Sequence, residues 1–360
     1  MPDRSRIAEV MAAPAHTALN LEVARRSLVL LRNDGTLPLE GAAAAPRRIA
    51  LVGPLADHAQ TQLGDWAGSS GEVDWLDAGQ PRGQITTVLD GLRSLLPDDW
   101  TLTHTAGAEI PTLEDDPAGA FFPDGQPRPK VVVPVEPDDE MIAEAVAAAR
   151  EADVVVAVVG DRIELVGDGR STATLELVGG QRALLEALAA TGTPLVVVLM
   201  ASKPLVLPDA VADAPLVRVA NPGMQGGQAI AELLLGRIEP AGRLPISFAR
   251  HVGQQPTYYN QVRGQHGDRY ADLTQRPAHA FGEGLSYTTV EYGAPALEAS
   301  SLSPADTVRA RVTLEVPVAD CTIVDATGAR IVEPGAFELL IGSSSRDEDL
   351  RSVSFTVAAA

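Results

Sequence analysis

Cysteine is almost missing from this 360-residue chain: Cys321 is the only one. That excludes an intramolecular disulfide and suits a reducing compartment; in the short apolar stretch CTIVDA it reads as a small core residue rather than a reactive thiol. Basic residues are also scarce, 28 Lys and Arg against 48 Asp and Glu, for a formal charge of −20. Such a surface repels phosphate backbones, which argues against nucleic acid and anionic membranes as partners and leaves a neutral substrate unopposed. No apolar run approaches the ~20 residues that span a bilayer, and Met1–Pro14 has no apolar signal-peptide segment. The chain therefore reads as soluble and cytoplasmic.

Several chemical signatures are missing too. No G-x-G-x-x-G or G-x-x-x-x-G-K-[ST] occurs, so no phosphate-cradling loop is evident. No G-x-S-x-G elbow is present, which removes the common α/β-hydrolase reading. The six histidines (His16, His58, His104, His251, His266 and His279) show no metal-ligand spacing. Neither a cofactor nor a metal is implied.

What remains is a chain that can build a core, 45% hydrophobic and 21% charged, with length enough for two domains. His16–Leu31 has the apolar spacing of an amphipathic helix. Strands are expected at Ile49–Val52, Thr101–Thr105, Val154–Val159, Leu195–Met200 and Leu216–Ala220, and helices at Thr86–Leu96, Asp138–Glu151 and Gln225–Leu235. Ala106–Pro134 is a Pro/Gly/Asp-rich excursion between them. The alternation predicts a mostly parallel sheet with helices on both faces. The run Val154–Val159 is continuously apolar, as a strand covered on both faces must be.

From about Pro295 the pattern changes. Val308–Val316 alternates with period two, and Thr322–Val324, Phe337–Ile341 and Val353–Val357 follow as short strands. Four strands fall short of the ~7 strands and ~100 residues of an immunoglobulin-type sandwich, so the module reads as incomplete. With open edges on Val308–Val316 and Phe337–Ile341, self-association through this module is expected.

In open α/β sheets, ligands meet the loops at the carboxyl ends of the strands. The loop after Val154–Val159 carries Asp161, Glu164 and Asp168. In Gly167-Asp168-Gly169-Arg170-Ser171 two glycines flank an acid, which reads either as a carboxylate presented to a cleft or as a plain turn. Asn221-Pro222-Gly223-Met224-Gln225-Gly226-Gly227 lies between a strand and a helix, and close helix–sheet packing explains its glycines better than phosphate binding does. Thr257–Tyr287 concentrates aromatic and polar groups, including Tyr258, Tyr259, Tyr270, Phe281 and Tyr287. It suits stacking on sugar faces or, equally, an extended strap held down by its rings.

Taken in order, ARRSLVLLRNDGTLPL (24–39), IALVGPLAD (49–57), GDWAG (64–68), ADVVVAVVGD (152–161), GTPLVVVLMASKPL (192–205), NPGMQGGQAIAELLLGRIEPAGRLPISF (221–248), QQPTYYN (254–260) and AFGEGLSYT (280–288) resemble glycoside hydrolase family three, the β-glucosidase and β-xylosidase family. The resemblance covers residues 15–292 and implies the family's second domain, a six-stranded α/β sandwich. Residues 1–14 are then an N-terminal tail, and residues 295–360 are similar to a truncated fibronectin type III-like module. The implied activity is hydrolysis of β-glucosides or related sugars by a retaining mechanism. In such a pair of domains the nucleophilic aspartate lies on a preceding barrel, and nothing before His16 could hold one. A separate barrel-bearing chain is therefore an expected partner, and the chain alone is expected to be inactive.

The resemblance makes Asp168 the acid/base, with Glu164 as the alternative acid and Arg170 and Ser171 as substrate-binding residues. The family carries glutamate at the first position. Aspartate is about 1.5 Å shorter, which matters where retaining carboxyls stand ~5–5.5 Å apart. The competing readings are a non-catalytic truncated product, carbohydrate-binding or inert, and a flavodoxin-like nucleotide domain without a phosphate motif.

Overall fold

The computed structural model describes residues 13–41, 47–65, 79–167, 171–260, 270–288, 294–310, 314–317, 323–324, 330–332 and 334–358. Asp168, Arg170 and Cys321 lie outside the described residues. The chain divides into two compact units, residues 1–279 with 284–288, and residues 280–283 with 289–360.

The first unit is built on a six-stranded sheet, in the order β1-β8-β7-β6-β2-β3. Its strands are β1 (Val29–Arg32), β2 (Arg48–Val52), β3 (Thr101–Thr105), β6 (Val154–Gly160), β7 (Leu195–Met200) and β8 (Leu216–Val219). All neighbours run parallel except β1, which is antiparallel to β8. A short hairpin, β4 (Leu113–Glu114) with β5 (Val131–Val132), decorates the excursion after β3.

Successive side chains of a strand point to opposite faces, so each central strand feeds two cores. Val154, Val156 and Val158 join a layer with helices α1 (Pro14–Ser27), α2 (Val88–Leu95) and α5 (Gly226–Leu235). Val155, Ala157 and Val159 join the opposite layer with α3 (Asp139–Glu151) and α4 (Gln181–Ala189). This is a three-layer α/β sandwich, as the alternation predicts.

Local chemistry sets the helix ends. Thr87 caps α2 in a reciprocal box with Asp90, and Asp138 caps α3 by accepting from Glu140 N–H and Met141 N–H. Gly236 closes α5 in a left-handed conformation at φ 87°. Arg25 of α1 grips Glu232 of α5 through paired contacts of 2.6 and 2.7 Å.

Three expectations need correction. The helix expected over His16–Leu31 ends at Ser27, and Val29–Arg32 is a strand. Leu28 and Leu30 enter one core while Val29 and Leu31 enter the other, a two-sided burial that a helix stripe cannot provide. Within 221–227, Gly227 serves close packing against the start of helix α2 rather than the sheet, since a Cβ there would stand 1.9 Å from the Thr87 carbonyl oxygen. Gly223 instead faces Asn20 of α1, and Gly226 faces Pro222. The Gly227 N–H donates to Thr86 O at 2.9 Å, so this helix start is satisfied internally.

The third correction lies in the second unit. The single strand expected over Val308–Val316 is a hairpin, β10 (Thr307–Ala310) against β11 (Leu314–Pro317), with Val308 opposite Val316. Period-two alternation runs through both arms of a hairpin, so the pattern cannot separate one strand from two. Among the described residues the unit has seven strands rather than four: β9 (Ser301–Leu302), β12 (Ile323–Val324), β13 (Arg330–Ile331), β14 (Gly335–Gly342) and β15 (Leu350–Val357) join the hairpin. β14, β15 and β9 form a three-stranded sheet around a small cluster of Leu302, Val308, Phe355 and Val357.

Candidate functional site at the carboxyl edge of the sheet

Strand β6 ends on Gly160, whose position is set on two sides. Its N–H donates to Gln181 Oε1 at 2.8 Å, and its carbonyl accepts from Gln181 Nε2 at 2.9 Å. Gln181, buried at the start of α4, is a site-building residue that the sequence reading missed; a lone amide opening an apolar helix was the available signal. A Cβ on Gly160 would stand 1.7 Å from the Met200 carbonyl oxygen, so only glycine lets β6 and β7 close here.

Asp161 follows immediately and is 2% exposed. Among the described residues neither of its side-chain oxygens has a hydrogen-bond donor. Lys203 Nζ, from the loop after β7, stands 3.8 Å from Oδ2. Burial raises the Asp161 carboxyl to about 6, against the pull of Lys203. The same burial lowers Lys203, with Asp161 opposing.

Glu164 sits one short turn further on, in Ile163–Leu165. Arg162 holds its carboxylate at both oxygens, Nη2 to Oε1 at 3.0 Å and Nε to Oε2 at 3.2 Å. Burial alone would raise Glu164, but the Arg162 hydrogen bonds and charge, with His58 nearby, outweigh it and hold Glu164 below the usual carboxylate range. His58, on the loop after β2, is itself lowered, by burial first and by Arg162 second. Its Nδ1 accepts from Thr61 N–H at 3.2 Å, which leaves any ring proton on Nε2.

Further hydrogen bonds stitch the neighbouring loops into one edge. Ser202 Oγ donates to Asn221 Oδ1 at 2.8 Å, and Asn221 Nδ2 donates to Thr61 O at 3.1 Å. Ser171 is exposed, and its Oγ donates to Gly167 O at 3.1 Å, which joins the residues on either side of 168–170. Of the candidate site residues, Glu164 and Ser171 thus sit on one carboxyl-edge loop, while Asp168 and Arg170 lie outside the described residues.

The aromatic stretch splits in two. Tyr258 and Tyr259 are exposed. The 284–288 part acts as a strap: Leu285 N–H donates to Leu30 O at 2.6 Å and Tyr287 Oη to Leu233 O at 2.7 Å. Within the second unit, Glu283 takes Arg346 Nε at 2.7 Å and Ala280 N–H at 2.9 Å.

The family description "Glycosyl hydrolase family 3 C-terminal domain" matches residues 28–287. A periplasmic beta-glucosidase of Salmonella typhimurium is 39% identical over 74% of this chain and 34% of its own length. A beta-xylosidase of Formosa agariphila is 28% identical over 95% of this chain and 50% of its own length. Among solved structures, a beta-glucosidase from intestinal bacteria, described as involved in saponin metabolism, superposes with a TM-score of 0.91 at 50% identity, covering 99% of this chain and 56% of that one. The chain thus spans a third to about half the length of these relatives.

Proposed function

Because this chain belongs to glycosyl hydrolase family 3, we propose that it is the acid/base-bearing part of a retaining β-glycosidase acting on β-glucosides or related sugars, with a barrel domain supplying the nucleophile. The observation that carries this reading is the loop after β6. It leaves the carboxyl end of a fully buried parallel strand, where α/β sheets meet ligands, and it crowds Asp161, Glu164 and Asp168 into a few residues.

Asp168 is the proposed general acid and base. Two features of its neighbours support it over the other acids. Glu164 is held ionised by Arg162, whereas an acid must carry its proton when the leaving group departs. Asp161 has a suitable proton affinity but is sealed from any substrate. Glu164 then stands as the partner of Arg162 rather than as the acid, and Arg170 and Ser171, which follow Asp168 in the chain, are the proposed substrate-binding residues. The exposed Tyr258 and Tyr259 favour a second reading, sugar binding without turnover.

The test is an aryl-β-glucoside assay of the chain alone and of the chain joined to the part of the 50%-identical β-glucosidase that it does not match. The chain alone should be silent, because a covalent mechanism fails as a unit without its nucleophile. The joined form should turn over, and Asp168→Ala should reduce kcat by about 100-fold or more on substrates with poor leaving groups. Sugar binding without turnover in the joined form would favour the second reading.

A further inference from the structure

The loop that carries the proposed acid/base begins at Asp161 and regains described structure at Ser171 and Thr172. Lys203 reaches both ends of it. Its Nζ donates to the Thr172 carbonyl at 3.2 Å and to Thr172 Oγ1, and it faces Asp161 Oδ2 at 3.8 Å. An ammonium has three donors, and two of them go to Thr172. The backbone that carries the lysine is anchored as well: Leu205 N–H donates to Lys203 O at 2.9 Å, and Val206 N–H donates to Leu175 O at 2.6 Å. The downstream leg of the loop is therefore fastened to the segment that presents the lysine.

Asp161 makes little sense as a device for stability. A carboxylate almost wholly removed from water, with no hydrogen-bond donor among the described residues, costs the fold more than a distant ammonium returns. It is also sealed from substrate. What it does do is oppose, with its charge 3.8 Å away, the burial that weakens proton binding by Lys203, the lysine whose donors hold Thr172. Arg162, Glu164 and His58 do not share this task, since Arg162 and Glu164 neutralise each other and His58 faces that pair.

Resting on the glycosidase reading above, we propose that Lys203 is a positioning residue that clasps the acid/base loop through Thr172, with Asp161 as the counter-charge that keeps it in place. The clasp holds Thr172, four positions along the chain from the proposed acid, Asp168. A misplacement of about 1 Å at such a group costs on the order of 100-fold in rate.

Lys203→Met keeps the stem and removes the charge and donors, and Lys203→Arg restores both. In the chain joined to a barrel domain, Lys203→Met should lower kcat by roughly 10-fold or more for a phenyl β-glucoside, whose poor leaving group needs the acid. It should change the dinitrophenyl β-glucoside far less and leave KM near the parent value, and Lys203→Arg should recover part of the loss. In the full chain alone, Lys203→Met should speed amide exchange at residues 171–176 while β6 and β7 stay protected.

Equal losses on both substrates, or none, would overturn the proposal, as would unchanged exchange at 171–176. If the parent joined form gives no turnover, the glycosidase reading fails by itself. Amide exchange then still decides the clasp: faster exchange in Lys203→Met upholds it, and unchanged exchange removes it.

Discussion

Strand β6 has an aspartate at each end, Asp153 before it and Asp161 after it, and the two are displaced in opposite directions. At the amino end, Asp153 Oδ2 accepts from Arg47 N–H at 3.0 Å and Arg48 N–H at 2.9 Å. Its Oδ1 takes Arg48 Nη2 at 2.7 Å and Nε at 3.2 Å. The Arg48 contacts, then the backbone donors, bring its carboxyl down to about 2. At the carboxyl end, burial raises Asp161 to about 6, and no donor relieves it among the described residues. The residue type and the strand are the same, so the difference lies in what each edge is for. The amino edge ties β2 to β6 with satisfied groups. Among the described residues the carboxyl edge leaves the Asp161 carboxyl without a hydrogen-bond donor, a departure from local consistency of the kind found at functional sites.

The harshest way to break this contrast is at the carboxyl end of the strand itself. Gly160→Ala sets a methyl against the Met200 carbonyl, and backbone cannot give way as a side chain can. The expected loss is about 3 kcal/mol or more, read as a collapsed thermal midpoint or as material that no longer folds cooperatively.

Asp161 predicts a pH slope of the next size. Its folded carboxyl binds a proton more tightly than the unfolded one, whose ordinary value is 3.8. The folded state therefore carries more protons between about 4 and 6, and stability falls as pH rises through that window. A shift of this size corresponds to about 3 kcal/mol, and the loss is complete above the folded value. Denaturation midpoints of the parent chain and Asp161→Asn across pH 4–7 test it. The variant should lack the slope, and equal slopes would remove the assignment.

Asp153 should show the reverse sign and a smaller effect. Its folded value is depressed, so its contribution is present above the unfolded value and fades as pH falls toward about 2. The side chain is 35% exposed, so solvent screens it and Asp153→Asn should cost about 1 kcal/mol rather than the full shift. The smallest expected effect is salt: raising ionic strength should shrink that cost by a few tenths of a kcal/mol, roughly, while leaving the Asp161 slope nearly untouched. A salt-independent Asp153→Asn cost would show that the backbone donors, not Arg48, carry the contact.

The sheet was legible because burial on both faces leaves an unmistakable mark. Val154–Val159 and Leu195–Met200 are unbroken apolar runs, and the structure has strands at Val154–Gly160 and Leu195–Met200. Helix starts were legible where a capping acid opens them, as at Asp138. Val29–Arg32 was not, because the apolar run Leu28–Leu31 after a helix continues its stripe as well as it begins a strand, and only the pairing with β8 decides. The candidate site was half legible. That acids gather after β6 is plain in the sequence, but which of them is sealed, which is paired and which lysine reaches them is not.

By itself the sequence determined the α/β class, the parallel strands of the main sheet and the loop where carboxylates follow the buried strand β6, because these follow from hydrophobic period and turn chemistry, both local properties. It also determined the family, through motifs spread over residues 24–288. The tertiary structure alone decided the fates of Asp161 and Glu164. One stands beside Lys203, 42 positions away in the chain, and the other in the grip of Arg162, two positions away. Proton affinity depends on burial and on charges within a few ångströms, and sequence distance carries neither.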